Sequence, residues 1–481
     1  MIGTIQQGTT LNALLARTTA ARPDSAAVVQ DGELTDWATL SSLVEGMAAC
    51  LAGRGIGRSD RVALRLANSR DYLTAILAIA RLGAMAVHVN TRFGPAEIAD
   101  LVHRTDARLL LTDGPLRGAP AVDVVEVPLP SGGTCADLSV PEDDCLVYTT
   151  GGTTARPKLV VHRQGSIAVH AARVAQVAGF EAADAVYLAA APLCGTFGNV
   201  GAMAALAGGA TMVTMRSFDA DEAARLIAEH RITHLLGDDR MVDRLAAAGT
   251  YSSVRFCGAA AFGADARPAL ARGVEAGLRP RAIYGSSEVQ ALFALGDEGG
   301  GGWGAVTPVH SSAEVAVVED ELRLAAPSLF DRYLDDPADT EAALRDGLFR
   351  TGDRAAVKDG GFVFEGRMGD VLRLGGFLVS PLEIEAFLTR QPGVAEAQVV
   401  GVPRERGTAA FAFAIPRPDH DIDEPALIER CRASLARYKV PVRVVAVDAF
   451  PVSTGPNGPK ISRAELRRLA AEMQSQGEPV L

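Results

Sequence analysis

Short apolar runs alternate with amphipathic stretches along the chain up to about Arg281. The runs RVALRL near residue 61, AMAVHV near 84 and RLLLT near 108 are typical of buried strands, and residues 71–81 and 95–104 between them have helical spacing. A second series begins at Cys145 with the strand CLVYTT, a Gly/Thr loop, a helix over residues 168–177 and the strand AVYLAAA. This alternation predicts parallel βαβ units.

The pattern changes after these units. Between residues 303 and 364 the segments are shorter and rich in turns, and EVAVVEDELRLAA alternates in the manner of an antiparallel sheet. After GRMGD at 366–370, helices are predicted over 381–390 and 424–436 and strands near Ala397 and Val442. We therefore predict an α/β protein: residues 1–368 form a large N-terminal domain of βαβ subdomains with a small β-rich subdomain, and 369–481 form a small C-terminal α+β domain.

One long stretch carries no charge. Residues 185–215 could span a bilayer by length alone, but Pro192 and five glycines interrupt them. Breakers at that density predict a strand, a loop and a helix inside a large core.

Composition narrows the classes of protein that fit. The 481 residues exceed one ordinary core, and 48% hydrophobic with 22% charged residues is a globular balance. A net charge of -11 argues against nucleic acid and anionic membranes as partners. Six scattered cysteines without a C-x-x-C pair, and a start without an export signal, predict reduced thiols in a cytoplasmic protein without a zinc site.

The segment TTGGTTARPK at 149–158 has the residue types of an anion-binding loop. Glycines let backbone N–H groups approach phosphate oxygens, the threonine hydroxyls add donors, and Lys158 adds charge. The G-x-x-x-x-G-K-[ST] spacing is absent, so the segment is not a Walker loop. By itself it is also compatible with a polar surface loop.

The segment resembles the phosphate loop T-S-G-T-T-G-x-P-K of the adenylate-forming superfamily, which includes acyl-CoA synthetases, adenylation domains and firefly luciferase. Four further segments resemble family motifs in the family's order: YGSSE at 284–288, the long signature 326–353 ending in R-T-G-D, the junction segment 365–385, and PKISR at 459–463. CGAAAFG at 257–263 is similar to the family's adenine wall. The resemblance implies the acyl-CoA synthetase branch.

The resemblance also implies roles for individual residues. The phosphate-loop residues would bind ATP: Thr150, Gly151, Gly152, Thr153, Thr154 and Lys158. The adenosine site would comprise Gly258, Ala259, Ala260, Tyr284, Gly285, Ser286, Ser287, Asp353 and Arg367, with Tyr284 against adenine and Asp353 on the ribose hydroxyls. Glu288 and Thr153 would hold Mg²⁺, and Lys460 would bridge the substrate carboxylate and the α-phosphate.

Such enzymes work in two steps. A carboxylate attacks the α-phosphorus of ATP to give an acyl-AMP, and the thiol of CoA then attacks the acyl carbonyl and releases AMP. By the resemblance, the mobile small domain rotates about its junction between the steps, at Gly369 here. Gly375 and Gly376 would then line the path of the pantetheine arm, because a backbone without Cβ lets a thin thiol arm pass.

Several residues depart from the family pattern. Gly151 replaces the usual serine and Ala155 the second glycine of the loop, and Pro459 separates Gly458 from Lys460 in a segment longer than the family's. Proline fixes its own φ, so Lys460 is expected to be displaced or re-aimed. We therefore predict that CoA thioester formation is kept while ATP-dependent adenylation is weak or absent. The alternative is that the loops bulge and both steps work.

The acyl pocket is predicted around PLCGTFG, where Cys194 and Gly195 replace a bulkier gate. With Phe197, Gly198 and the small residues that follow, it would be a roomy apolar pocket for a bulky, polycyclic or branched acid. Equally, the small residues could be helix-packing contacts. An amino-acid substrate is disfavoured because glycine, not aspartate, follows Phe197.

Two other functions stay open. The same motifs would serve a ligase that loads a carrier-protein thiol, and the altered loop would suit a non-catalytic acyl-AMP or AMP-binding protein. The expected small molecules are ATP or AMP, Mg²⁺, CoA and a carboxylic acid or its adenylate. A separate adenylating enzyme is a conceivable partner if adenylation is lost.

Overall fold

The structure is a computed structural model that describes residues 8–116, 121–129, 132–150, 157–261, 266–297, 304–358, 360–368, 372–374, 377–379, 381–404, 407–435, 437–455 and 458–476. The helices are α1 (Leu11–Ala21), α2 (Trp37–Gly53), α3 (Arg70–Arg81), α4 (Pro95–Arg104), α5 (Gln164–Ala178), α6 (Thr196–Gly208), α7 (Ala220–Glu229), α8 (Asp239–Ala248), α9 (Ala266–Glu275), α10 (Pro337–Ala343), α11 (Pro381–Thr389), α12 (Glu424–Ser434) and α13 (Arg463–Gln476). Short 3₁₀ turns span Ser287–Val289 and Arg437–Lys439.

The strands are β1 (Ala26–Gln30), β2 (Glu33–Asp36), β3 (Arg61–Arg65), β4 (Met85–His88), β5 (Leu109–Thr112), β6 (Asp123–Glu126), β7 (Asp144–Thr149), β8 (Leu159–Arg163), β9 (Val186–Ala189), β10 (Thr211–Thr214), β11 (His234–Asp238), β12 (Phe256–Ala260), β13 (Pro280–Tyr284), β14 (Ala294–Gly296), β15 (Val306–Pro308), β16 (Glu314–Val318), β17 (Glu321–Ala325), β18 (Arg332–Tyr333), β19 (Leu344–Arg345), β20 (Leu348–Lys358), β21 (Gly361–Arg367), β22 (Leu372–Leu374), β23 (Phe377–Val379), β24 (Val394–Arg404), β25 (Gly407–Pro416), β26 (Val444–Ala446), β27 (Val452–Gly455) and β28 (Gly458–Ile461).

Two sheets organise the large N-terminal part. One has the order β18-β8-β7-β4-β3-β5-β6, and its strands β3 to β7 are parallel. The other runs β16-β17-β20-β21-β15-β14-β13-β12-β11-β9-β10-β1-β2, and its central strands from β13 to β1 are parallel. The parallel βαβ units predicted from the alternating pattern are confirmed.

The predicted β-rich segment is antiparallel, as expected from its alternation. Its strands β15, β16, β17, β19, β20 and β21 continue the second sheet, because β14 pairs antiparallel with both β13 and β15, whereas β18 pairs with β8 in the first sheet. The signature strands β20 and β21 are therefore held in the same sheet as β12 and β13.

The main core joins both sheets through buried helices. Its largest apolar cluster combines residues of β1, β3, β5, β7, β9 and β10 with residues of α1, α2, α3, α5 and α6. Helix α6 is buried on nearly all sides, which confirms the strand, loop and helix predicted for residues 185–215. Within the described ranges, no helix is long and apolar enough to cross a membrane.

One strand was missed, and the error concerns the phosphate loop. LVVHR forms β8, which pairs antiparallel with β7 so that Thr149 lies opposite Leu159. The loop therefore connects two antiparallel strands, and the prediction that it leads directly into helix α5 is wrong. The first four residues of β8 are buried, three of them apolar, and such a short run also fits a helical segment, so periodicity alone could not assign it.

The C-terminal part has its own sheet and core. Strands β23-β22-β25-β24 form the sheet, with β26 beside β25, and β27 and β28 form a separate hairpin. Helices α11 and α12 pack on one apolar cluster, while a second contains Phe411, Phe413, Leu466 and Ala470. The C-terminal α+β architecture is as predicted.

Candidate active site

Three predicted site residues meet at the junction of β13, β20 and β21. The Tyr284 hydroxyl donates to Asp353 Oδ2 at 2.5 Å, and Arg367 Nε lies 3.0 Å from Asp353 Oδ1. Asp353 and Arg367 are direct cross-strand partners, and an Arg367 guanidinium N–H also donates to the Thr351 carbonyl at 2.9 Å. The sheet register therefore fixes a buried carboxylate between a phenol and a guanidinium.

Burial dominates the electrostatics of this cluster. It raises the pKa of Asp353 above the ordinary carboxyl value, although Arg367 and the Tyr284 hydroxyl partly offset the effect. Burial, and then the charge of Asp353, raise the pKa of Tyr284 well above its usual value. The Tyr284 ring packs edge-on against Phe362, with ring centroids 4.9 Å apart. Tyr284 is thus held as a neutral phenol whose orientation is fixed at both ends.

Glu288 lies in the 3₁₀ turn that follows β13. The Tyr333 hydroxyl donates to Glu288 Oε1 at 3.0 Å, and the Glu288 carbonyl accepts from the Phe330 N–H at 2.7 Å. The next residues, Gln290 and Ala291, have positive φ values of 56° and 62°, a backbone conformation that non-glycine residues adopt rarely. The turn that carries Glu288 is therefore tightly constrained.

Lys158 is engaged at the described end of the phosphate loop. Its Nζ lies 2.9 Å from Asp339 Oδ2 of α10 and 4.5 Å from the centre of the Tyr333 ring. Thr150 and Lys158 close the loop, because the Thr150 N–H donates to the Lys158 carbonyl at 2.9 Å. Tyr333 thus lies between Lys158 and Glu288.

The small residues predicted to surround adenosine have packing reasons of their own. A Cβ on Gly285 would lie 1.6 Å from the Ala291 carbonyl oxygen, and one on Gly258 would lie 2.3 Å from Ile283 Cδ1. Gly258, Ala259 and Ala260 are buried on β12, next to β13. Ser286 precedes the 3₁₀ turn, Ser287 begins it, and the Ser287 carbonyl is 2.7 Å from His162 Nε2.

The predicted acyl-pocket residues lie at the start of α6. Cys194 is buried, which raises the pKa of its thiol to about 11, Gly195 is the N-cap, and Phe197 packs on the main core. A Cβ on Gly198 would lie 2.2 Å from the Pro192 carbonyl oxygen. Gly198 is therefore a helix-packing contact, which is the alternative that the sequence left open.

A small cavity lies beside these residues. The cavity there has a volume of about 10 Å³, and its lining includes Thr196, Asn199, His170 and Gln290. At Gly198 the space of the missing side chain is occupied by neighbouring backbone atoms, and the roomy apolar pocket stays a prediction.

Other predicted positions are only partly described or lie outside the described residues. Lys460 lies on β28 with its backbone opposite Ser453, and Pro459 lies opposite Thr454. The remaining predicted positions fall outside the described ranges: Gly151, Gly152, Thr153, Thr154, Gly369, Gly375 and Gly376.

Sequence reasoning missed two residues of the site. Tyr333 and Asp339 lie inside the long signature at 326–353, but neither was singled out. Their contacts with Glu288 and Lys158 depend on the pairing of β18, which carries Tyr333 and precedes α10, with β8, and no local pattern reveals this pairing. A tyrosine and a carboxylate within a matched signature were the available signal.

The chain matches two family models. AMP-binding enzyme matches residues 15–328, and AMP-binding enzyme C-terminal domain matches 383–455. The chain belongs to the AMP-binding enzyme family, in its adenylate-forming acyl-CoA synthetase branch. It is an enzyme of the acid–thiol ligase class.

Curated relatives cover nearly the whole chain. One is the 3-[(3aS,4S,7aS)-7a-methyl-1,5-dioxo-octahydro-1H-inden-4-yl]propanoyl:CoA ligase of Mycobacterium tuberculosis, 32% identical over 96% of this chain and 99% of the relative. Another is the 3-hydroxybenzoate–CoA ligase of Aromatoleum sp., 28% identical over 93% of this chain and 94% of the relative.

The fold is shared with solved structures. The o-succinylbenzoate CoA synthetase of Bacillus subtilis, solved with its acyl-adenylate intermediate, superposes with a TM-score of 0.84 at 21% identity, covering 96% of this chain and 99% of that one.

Proposed function

We propose that this chain is an acid–CoA ligase that converts a bulky apolar acyl-AMP and CoA into the acyl-CoA thioester and AMP, with a weak or absent ATP-dependent adenylation step. The observation that carries the proposal is the Tyr284–Asp353–Arg367 cluster, in which a buried carboxylate is oriented by a phenol and a guanidinium. A carboxylate in that position can accept hydrogen bonds from ribose hydroxyls, which are stronger than bonds between neutral groups.

The residues present fit a nucleotide and its metal ion. Tyr284 offers an aromatic face beside the small residues of β12, Arg367 offers charge to a phosphate, and the Glu288 carboxylate is an oxygen ligand of the kind that Mg²⁺ prefers. With Thr153, Glu288 would hold Mg²⁺, which neutralises charge on the phosphates.

The thioester step exchanges one acyl bond for another. The CoA thiol gives its proton to solvent as its sulfur forms a bond to the acyl carbonyl carbon, the bond from that carbon to the phosphate oxygen of AMP breaks, and AMP leaves with the electron pair. Gly375 and Gly376 would line the approach of the thiol. We place the domain boundary at 368/369, between β21 and β22, with Gly369 as the hinge of a mobile C-terminal domain.

The weak first step is inferred from the two lysines. Lys158, which would face the phosphates of ATP, is instead paired with Asp339 and packed on Tyr333. Lys460 follows Pro459 in a β-hairpin, whereas the family segment is shorter. Adenylation depends on cations placed to within a fraction of an ångström, since about 1 Å of misplacement costs on the order of a hundredfold. If the step is lost, a separate adenylating enzyme supplies the acyl-AMP.

The substrate class rests on two supports. The segment around Phe197 is apolar, and glycine rather than aspartate follows Phe197, which disfavours an amino-acid substrate. The mycobacterial relative is named for a bicyclic propanoate. We therefore propose a polycyclic or branched carboxylic acid as the acyl source.

Two assays with the purified full-length chain test the proposal. Pyrophosphate release is measured with ATP, Mg²⁺ and the bicyclic dione acid that names the mycobacterial relative, and CoA consumption is measured with the synthetic adenylate of that acid. We expect fast thioester formation and little pyrophosphate. Rapid pyrophosphate release would show a full two-step ligase instead.

The acceptor and the non-catalytic alternative are tested in the same experiment. Replacing CoA by a holo-carrier protein distinguishes a CoA ligase from a carrier-loading ligase. Tight binding of the adenylate without thioester formation from either thiol would support a non-catalytic adenylate-binding protein.

A further inference from the structure

A group of buried polar side chains lies between α5 and α6, beside the turn that carries Glu288. It surrounds the cavity of about 10 Å³, which we name the distal pocket and define by its polar lining: Tyr148, His170, Thr196, Asn199 and Gln290. The remaining lining is apolar, from Ile167, Ala171, Val200 and Met203. Polar groups in so apolar a setting need partners.

Several hydrogen-bond donors of the distal pocket are unused. Tyr148 and Thr196 are buried residues that line this cavity, and among the described residues no hydrogen-bond partner of either hydroxyl is found. Asn199 is also buried, and its amide N–H reaches only the Leu193 carbonyl at 3.5 Å. Buried polar groups in native proteins are nearly always paired with protein, water or a ligand, so this set points to a group that is bound there.

The histidine of the distal pocket is neutral. His170 Nδ1 lies 3.0 Å from His310 Nε2, and burial lowers the pKa of His310 to about 4 and that of His170 well below its usual value. The Gln290 carbonyl also faces His170, but His170 Nε2 completes no hydrogen bond among the described residues. The pocket therefore offers donors without a net positive charge.

The location connects this pocket to the acyl group. Thr196 and Asn199 belong to the first turn of α6, directly after Cys194 and Gly195, and Gln290 follows Glu288 by two residues. Gln290 is itself fixed, because its amide donates to Ser166 Oγ at 2.9 Å. An acyl group that extends from the adenylate side into the protein along α6 would end at this pocket.

We infer that the distal pocket receives a ketone oxygen at the end of the acyl group remote from the carboxylate. The inference rests on the proposed function and narrows its substrate class to acids that carry a distal ketone. A ketone oxygen carries no charge and accepts two hydrogen bonds, which suits the unused hydroxyls of Tyr148 and Thr196, with the Asn199 amide beside them. A volume of about 10 Å³ is close to that of one water-sized oxygen group.

A matched pair of ligands tests the inference without relying on catalysis. The ligands are 5′-O-(N-acylsulfamoyl)adenosines of the bicyclic dione propanoate that names the mycobacterial relative and of its analogue without the 1-oxo group. Calorimetry with the full chain is expected to show that the ketone ligand binds about 10- to 100-fold more tightly than the analogue. The analogue lacks the oxygen that accepts hydrogen bonds, so it leaves buried donors unpaired.

Substitutions assign the preference to the pocket. Thr196→Val and Asn199→Leu should each reduce the preference at least about threefold, mainly by weakening the ketone ligand, while the deoxygenated ligand binds as before. Thr105→Val removes a buried hydroxyl that donates to the Leu101 carbonyl in the last turn of α4, and it should keep the wild-type preference. Equal binding of both ligands by the wild type, no binding of either, or an unchanged preference in both pocket variants would overturn the inference.

The proposed function fails separately. The proposed function is contradicted if neither of the two acyl-AMPs that carry the same acyl groups as these ligands yields a CoA thioester, whichever ligand binds more tightly. Thioester formation from both adenylates with equal affinities would leave the ligase intact and remove only the distal-ketone assignment.

Discussion

Asp339 holds the Lys158 ammonium that ATP phosphates would need. Their 2.9 Å ion pair is partly exposed, and such pairs contribute about 1 kcal/mol at most, which corresponds to about fivefold in binding. We predict that Asp339→Asn lowers the KM for ATP by about two- to fivefold and raises pyrophosphate release, because Lys158 becomes available. The rate from preformed acyl-AMP should not change. Steady-state pyrophosphate assays measure both.

A neighbouring carboxylate supplies the control. Asp335→Asn removes the same charge from the same segment, and asparagine tolerates the positive φ of 53° at this position. It should leave the KM for ATP within about twofold. An equal improvement in both variants would mean that net charge, and not release of Lys158, is responsible.

Asp353 should make adenosine binding depend on pH. Burial raises the pKa of Asp353 in the folded protein, so its carboxylate becomes protonated at a higher pH than an ordinary aspartate, whose pKa is near 3.9. The hydrogen bonds from ribose to Asp353 therefore weaken as pH falls through the raised pKa. Asp353→Asn should bind AMP about 10- to 100-fold more weakly at pH 7, since bonds to a charged group contribute about 1.5–3 kcal/mol. Calorimetry between pH 5 and 7.5 follows both proteins.

The sign of the pH effect distinguishes the explanation. Wild-type affinity for AMP should fall toward low pH while that of Asp353→Asn changes less. A parallel loss in both proteins would assign the titration to another group, such as the phosphate of AMP. In the protein without AMP, the raised pKa of Asp353 means that the free energy of unfolding decreases slightly as pH rises through that pKa.

An ion pair inside the C-terminal part anchors the helix that follows Lys460. Arg463 begins α13 and lies 2.8 Å from Glu385 of α11, whose side chain is 0% exposed and also accepts from the Val399 N–H. Removing one partner of a buried pair costs about 3–5 kcal/mol because the other charge stays buried. We predict that Arg463→Met lowers the free energy of unfolding of this part by about that amount, measured by urea denaturation.

Two variants check that explanation. Glu385→Leu combined with Arg463→Met should recover much of the loss, since neither charge of the pair remains. Arg468→Met removes an exposed arginine of the same helix and should change stability by less than about 0.5 kcal/mol. Equal losses for Arg463→Met and Arg468→Met would show that the buried pair is not the cause.

Elements with a clear period were predictable from the sequence. The helix at α4 has the predicted bounds, because Pro95 begins it and its apolar face repeats with helical spacing. Strand β8 and the hairpin of β27 and β28 were not predicted, because short runs without regular alternation fit more than one structure. The packing of Gly198 against Pro192 was also hidden, since a glycine in a sequence does not show what fills its missing side chain.

At the scale of the whole molecule, the ordered motifs were enough to predict the family and the fold. They converge because β12, β13, β20 and β21 share one sheet, an arrangement that brings Tyr284, Asp353 and Arg367 together. The ion pair of Lys158 with Asp339 and the polar lining of the distal pocket depend on side-chain packing between distant segments, and no pattern along the chain encodes it. The sequence predicted the kind of site, and the packing of the chain supplied its chemistry.

The division between the two half-reactions is the central claim, and one comparison tests it most directly. With one preparation of the full chain and one acid, single-turnover rates are measured for pyrophosphate release from ATP and for thioester formation from the synthetic acyl-AMP. We predict that thioester formation is faster by at least about a hundredfold. Comparable rates for the two steps would contradict the account.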